Sequence, residues 1–121
     1  MSSNRLVSFS RLVPLFVALV ALAVFPTVAA AKVRLVHVTS PVSAGSYATL
    51  KAKISRNHAT CSITVYYKSG PSEAEGLYSK RTRHRRVSWT WKVGTRTTPG
   101  RWPIVVSCGR AGTLHTSFVV T

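Results

Sequence analysis

Six basic residues crowd into seven positions of this chain: Lys80, Arg81, Arg83, His84, Arg85 and Arg86, broken only by Thr82. Five of them carry a permanent positive charge. Ammonium groups and planar guanidinium forks at this density suit phosphate or sulfate oxygens, which arginine grips bidentately where geometry allows. The chemistry on offer is contact with a polyanion: a phosphate-bearing cell-wall polymer, a lipid phosphate or extracellular nucleic acid. The rest of the chain agrees, since 17 Lys and Arg oppose 2 acids in 121 residues. Such a charge forecasts attraction to polyanions and solubility, and is silent about fold. The bland reading of the same run is a solvated loop.

Other chemistry lacks its parts. Glu73 and Glu75 are the only acids, and both fall in one loop. They cannot stand as acid and base on opposite sides of a substrate unless folding wraps them around it. A Ser–His or Cys–His pair would find no further acid to orient it. His37, His58, His84 and His115 are scattered, and with two cysteines they make no metal-ligand spacing. There is no phosphate-cradling glycine loop, and no helix-period segment to enter a major groove. The expectation is a non-enzyme with no metal and no cofactor. Any nucleic-acid contact would be to the backbone, salt-sensitive and without sequence specificity.

The N-terminus indicates where this chemistry would operate. Arg5 and Arg11 give a basic start, Leu12 to Phe25 is apolar and uncharged, and Ala29-Ala30-Ala31 offers a small-residue cleavage site before Lys32. This is the pattern of a helical secretory signal over residues 1–31, which places the remainder outside the cytoplasmic membrane, secreted or at the cell surface. The alternative is an uncleaved anchor, because the apolar run extended through Pro26 and Thr27 approaches the roughly 20 residues a span needs. Residues 32–121 then form one small domain. With Arg5 and Arg11 removed, 15 cations face 2 acids, a net charge of +13. Cys61 and Cys108 are an even pair in an oxidising compartment and read as one disulfide, with two free buried thiols as the alternative.

Period-two alternation marks the strands. They are expected over residues 33–38, 47–54, 61–68, 87–93, 101–108 and 113–120, with a short extra strand near 76–80. Ala48, Leu50, Ala52 and Ile54 take one face of the second, and Thr49, Lys51 and Lys53 the other. Val87, Trp89, Trp91 and Val93 share a parity, as do Trp102, Ile104, Val106 and Cys108. Trp89, Trp91 and Trp102 are therefore assigned to the core, the alternative being an aromatic platform for sugars. Tyr47 and Tyr66 have the outward parity that a platform needs, and Lys51, Lys53 and Lys68 would add a basic face. Val33 and Leu35 compete in parity with Val36 and Val38, so the first strand has no clear inner face.

Six or seven short strands in about 90 residues suggest an all-β, two-sheet antiparallel sandwich of immunoglobulin type. In that topology strands 47–54 and 87–93 share one sheet, and 61–68, 101–108 and 113–120 share the other. The start of 61–68 then meets the end of 101–108. This brings Cys61 to Cys108 within one sheet or at its end, unlike the inter-sheet bond of antibody domains. Pro103 is the residue that resists, since a central strand has no use for a missing N–H. It belongs at a bulge or before the ladder begins.

Three stretches carry a resemblance: Cys61-Ser-Ile-Thr-Val-Tyr-Tyr-Lys-Ser-Gly-Pro-Ser72, Val87-Ser-Trp-Thr-Trp-Lys-Val-Gly94, and Thr98-Pro-Gly-Arg-Trp-Pro-Ile104 through Cys108. In this order they resemble small Ig-like domains of exported bacterial proteins. The resemblance implies an extracellular accessory module with no catalytic residues. The chain departs from that pattern at Lys80–Arg86, where such domains tend to have a polar or acidic turn. Two functions follow as expectations. The first is a secreted, non-enzymatic binding module that contacts an anionic polymer through Lys80, Arg81, Arg83, Arg85 and Arg86. The second is a structural domain that docks to a protein partner by its sheet edges, with the charge incidental. A membrane-disrupting cationic protein has no amphipathic helix to support it.

Overall fold

The computed structural model describes residues 32–121. The expected signal over residues 1–31, with its expected helix and cleavage site, and the alternative anchor lie outside the described residues. Among the described residues eight strands are formed: β1 (Val33–Val38), β2 (Tyr47–Ile54), β3 (Thr60–Tyr67), β4 (Gly70–Pro71), β5 (Lys80–Arg81), β6 (Arg86–Lys92), β7 (Gly100–Ser107) and β8 (Thr113–Val120). One turn of 3-10 helix, Gly109–Ala111, joins the last two. One sheet has the order β1-β2-β6; the other has β8-β7-β3-β4, with β5 also paired to β3. Every pairing between these strands is antiparallel. The two sheets pack as in an Ig-like sandwich, with the expected long strands in their expected sheets.

Alternation explains most of this. Along β2, Ala48, Leu50, Ala52 and Ile54 are buried between the sheets while Tyr47, Lys51 and Lys53 are exposed. Along β6, Val87, Trp89 and Trp91 go in while Arg86, Ser88, Thr90 and Lys92 go out. β1 is the exception. A register shift between Leu35 and His37 breaks its parity, so only Val33 is buried and Leu35 and Val36 stay exposed. A bulge of this kind leaves one residue without a cross-strand partner and turns the strand. After the cis Ser40–Pro41 bond, Val42 crosses to the other sheet and bridges Val120 in parallel. The segment from Val33 to Val42 thus reaches both layers, β1 in one sheet and the Val42 bridge at the other.

Trp89 and Trp91 lie in the closed core. Each tryptophan removes about 150–250 Å² from water, about 4–6 kcal/mol at roughly 25 cal/mol per Å². An unpaired indole N–H would give back about 1–3 kcal/mol, so the acceptors matter. Trp89 Nε1 donates to the Tyr78 carbonyl at 2.8 Å, and Trp91 Nε1 to the Tyr67 hydroxyl at 3.3 Å. Trp102 is half-buried at the rim and donates to the Thr98 carbonyl at 2.8 Å. Trp91, Phe118, Tyr67 and Trp102 form an aromatic series from core to rim, with neighbouring centroids 5.7 to 6.2 Å apart.

Cys61 and Cys108 are bonded. They face each other one position beyond the Ser62–Ser107 pair, at the end of the β3–β7 ladder and within one sheet. That ladder stops at its other end with Val65–Ile104, whereas Pro103 is registered only with Ser117 of β8. The missing proline N–H therefore falls beyond the β3 ladder, as the sequence required. The extra strand near 76–80 is realised as β5, displaced toward Lys80–Arg81, with β4 as a second short piece.

The segment before β5 covers the outer edge of β6. Tyr78 accepts the Trp89 indole, and Lys80 Nζ donates to the Ser88 carbonyl at 2.8 Å. Gly76, at φ +97°, presses its backbone on the Thr90 carbonyl, where any Cβ would overlap the oxygen. Covering an edge in this way removes an open pairing template.

Candidate polyanion-binding face

The basic run lies just before the strand that begins near Val87, a place that suggests an exposed hairpin end; the structure forms that hairpin end and braces it. Lys80 and Arg81 pair with Cys61 and Thr60 of β3. Thr82 is the one buried polar residue of the described chain, 1% exposed. Its N–H donates to the Ala59 carbonyl at 2.8 Å. Its hydroxyl accepts the Ala59 N–H at 2.9 Å and donates to the Arg56 carbonyl at 3.4 Å. The chain then reverses in a two-residue turn. Arg83 and Arg86 exchange both backbone hydrogen bonds at 3.0 Å, around His84 and Arg85 at φ 53° and 63°. Asn57 Oδ1 accepts the Arg85 N–H at 3.3 Å, and the Arg85 carbonyl accepts the Ile54 N–H at 2.8 Å.

Two left-handed residues make this the turn type that matches the twist of a tight hairpin, where Asn-Gly is the usual pair. His and Arg carry a Cβ and are strained there, by about 1–2 kcal/mol per residue. No Gly, Asn or Pro announces the turn, so the sequence marks a hairpin end here but not its two-residue, left-handed form.

Folding gathers the cations into two clefts. The larger, about 390 Å³, is lined by Lys51, Lys80, Arg81, Arg83 and Arg86 together with Val36 and Ser88. The smaller, about 190 Å³, is lined by Lys32, Arg34, Lys53 and Arg85. No carboxylate lines either one. Glu73 and Glu75 line a separate cleft beside Tyr47, Tyr78 and Thr90. Lys80 is held in place by Ser88, and its Nζ lies 5.6 Å from the Tyr78 ring centroid. Lys53 on β2 joins the two linings: its direct cross-strand partners are Arg34 on β1, in the smaller cleft, and Arg86 on β6, in the larger.

Four of the five expected binding residues, Lys80, Arg81, Arg83 and Arg86, share the larger cleft, and Arg85 turns to the smaller. Lys51 and Lys53 join them, as their outward parity implied. Lys68 does not: it follows β3 in the opposite sheet and lines another cleft. Lys32 and Arg34 were missed because β1 showed no clear face. Tyr47 and Tyr66 are both exposed but belong to opposite sheets, so they form no common platform. Among the described residues no three His, Cys, Asp or Glu side chains gather as a metal site would need.

No family model and no curated protein matches this chain. What is shown is the superfamily-level architecture, a small two-sheet antiparallel β domain with one disulfide. The functional reading therefore rests on the face itself.

Proposed function

We propose that this chain is an exported, non-enzymatic binding module, akin to the accessory Ig-like domains of exported bacterial proteins, that holds an anionic polymer on its basic face. The observation that carries the reading is the convergence of Lys51, Lys80, Arg81, Arg83 and Arg86 on one cleft with no acid in its lining. Two features add support. His84 and Arg85 keep their side chains in a turn that favours glycine; local strain retained against an easy substitution points to use of the residue. Thr82 and Asn57 also hold the backbone of the run still, so little ordering entropy is lost when an anion binds.

The test is retention on immobilised heparin and on an anionic cell-wall polymer across a salt gradient. The expected result is elution at high salt, shifted well down when Arg81, Arg83, Arg85 and Arg86 become Ser. Elution at low salt that the substitutions leave unchanged would remove the reading. The second reading, docking to a protein partner by a sheet edge, draws on β1: it is an edge strand and exposes Leu35 and Val36. In that case Leu35→Ser, which lies outside the linings of both basic clefts, abolishes capture of the partner and leaves polymer retention intact.

A further inference from the structure

Resting on that reading, we infer that the bound polymer is a ring-free phosphodiester chain of the poly(glycerol phosphate) type, lying across the strands along Arg34, Lys53 and Arg86. These three residues are opposed pairwise in register on β1, β2 and β6, and all three are exposed on the outer face. Adjacent strands lie about 4.8 Å apart, so the row presents a cation at about that interval. Like charges directly opposite destabilise a sheet. Neither flanking cleft supplies a carboxylate to relieve them. An anion from outside the chain is what balances the row, and a linear one reaches all three members and both clefts together.

The same linings argue for the backbone chemistry. Proteins that hold single-stranded nucleic acid combine a basic groove with aromatic side chains on which the bases stack. Neither cleft lining contains a Phe, Tyr, Trp or His. The nearby Tyr78 ring lines the other, acid-bearing cleft and already carries the Lys80 ammonium near it. A base or a pyranose ring finds no aromatic ring in either lining and only the guanidinium planes of arginine to lie against, whereas an acyclic chain needs no such surface. A planar layer of lipid headgroups does not follow two recessed clefts, whereas a flexible chain does.

The experiment compares binding of the purified chain to short poly(glycerol phosphate), to single-stranded DNA of equal phosphate number and to heparin, each over a salt series. Poly(glycerol phosphate) is expected to stay bound to the highest salt. Arg34→Ser and Lys53→Ser are each expected to weaken it roughly threefold to tenfold, and to lower the log–log salt slope by about 0.7 per cation removed. Neither should lower the melting temperature, because each relieves a repulsion. Tighter binding of DNA or heparin overturns the assignment of a ring-free chain. Unchanged affinity in Arg34→Ser and Lys53→Ser overturns the row, and if Arg81→Ser/Arg83→Ser still weakens binding, the basic-cleft reading survives alone. Failure to bind any of the three polymers overturns both.

Discussion

Replacing both half-cystines, Cys61→Ala with Cys108→Ala, should bring this domain close to unfolding at ordinary temperatures. The bond joins residues 47 positions apart. In the chain-entropy model a loop of that length withholds about 14 cal/mol/K from the unfolded chain, or about 4 kcal/mol at 25 °C. A domain of about 90 residues has about 5–13 kcal/mol in all. The structure gives reason to expect the full effect. The β3–β7 ladder holds only from Ser62–Ser107 to Val65–Ile104, and the bond closes the end where that pairing stops. At about 4–8 °C per kcal/mol for a domain of this size, the melting temperature should fall by about 15–30 °C. The assay is thermal unfolding followed by far-UV circular dichroism, with wild type under a thiol reductant as a second route to the same state. A double variant melting within about 5 °C of wild type would show that the short ladder suffices and would refute the reasoning.

Three further outcomes test the brace, the turn and the aromatic series. Thr82→Val removes the acceptor of the half-buried Ala59 N–H and should cost about 1–3 kcal/mol, while Thr82→Ser, which keeps the hydroxyl, should cost little of this; denaturant titration of both variants separates them. His84→Asn/Arg85→Gly relieves two left-handed residues and should stabilise by about 1–2 kcal/mol while loosening retention on an anionic polymer, so a variant less stable than wild type contradicts the assigned turn. Burial pushes the Tyr67 phenol above its ordinary value of 10.0, and the hydrogen bond from Trp91 offsets this only in part. Its contribution to stability is complete below pH 10 and is lost as pH rises past 10 through the raised value, because the unfolded chain gives up its proton first. Melting temperatures between about pH 9 and pH 11 should therefore fall less steeply in Tyr67→Phe than in wild type.

The long strands were legible because each of their residues takes a side, and a side is readable at period two. In β2 and β6 the alternation of Ala48 to Ile54 and of Val87 to Trp91 matches the buried face residue for residue. The cysteine pairing followed from topology alone, once the antiparallel order of β3 and β7 was assumed. β1 was half legible: its mixed parity records a bulge, but a bulge leaves no mark that distinguishes it from a poorly patterned strand. The basic site was legible as a composition and illegible as a shape. Its turn contains no turn residue, its anchor is a lone threonine 23 positions from its partner, and its second half comes from Lys32, Arg34, Lys51 and Lys53, far away along the chain.

The two carboxylates neighbour Tyr47, at one end of β2, while Lys53 stands near the other, six residues and about 20 Å away. The outer sheet therefore carries a lengthwise gradient of charge. In the field of an extended anionic surface such a gradient exerts a torque, and the molecule swings its Arg83–Arg86 tip forward before it touches. On the proposed polymer-binding reading, a larger share of collisions then begins in a usable orientation, which raises the rate of capture more than the strength of the final grip. Added salt should slow arrival before it weakens what has already been held.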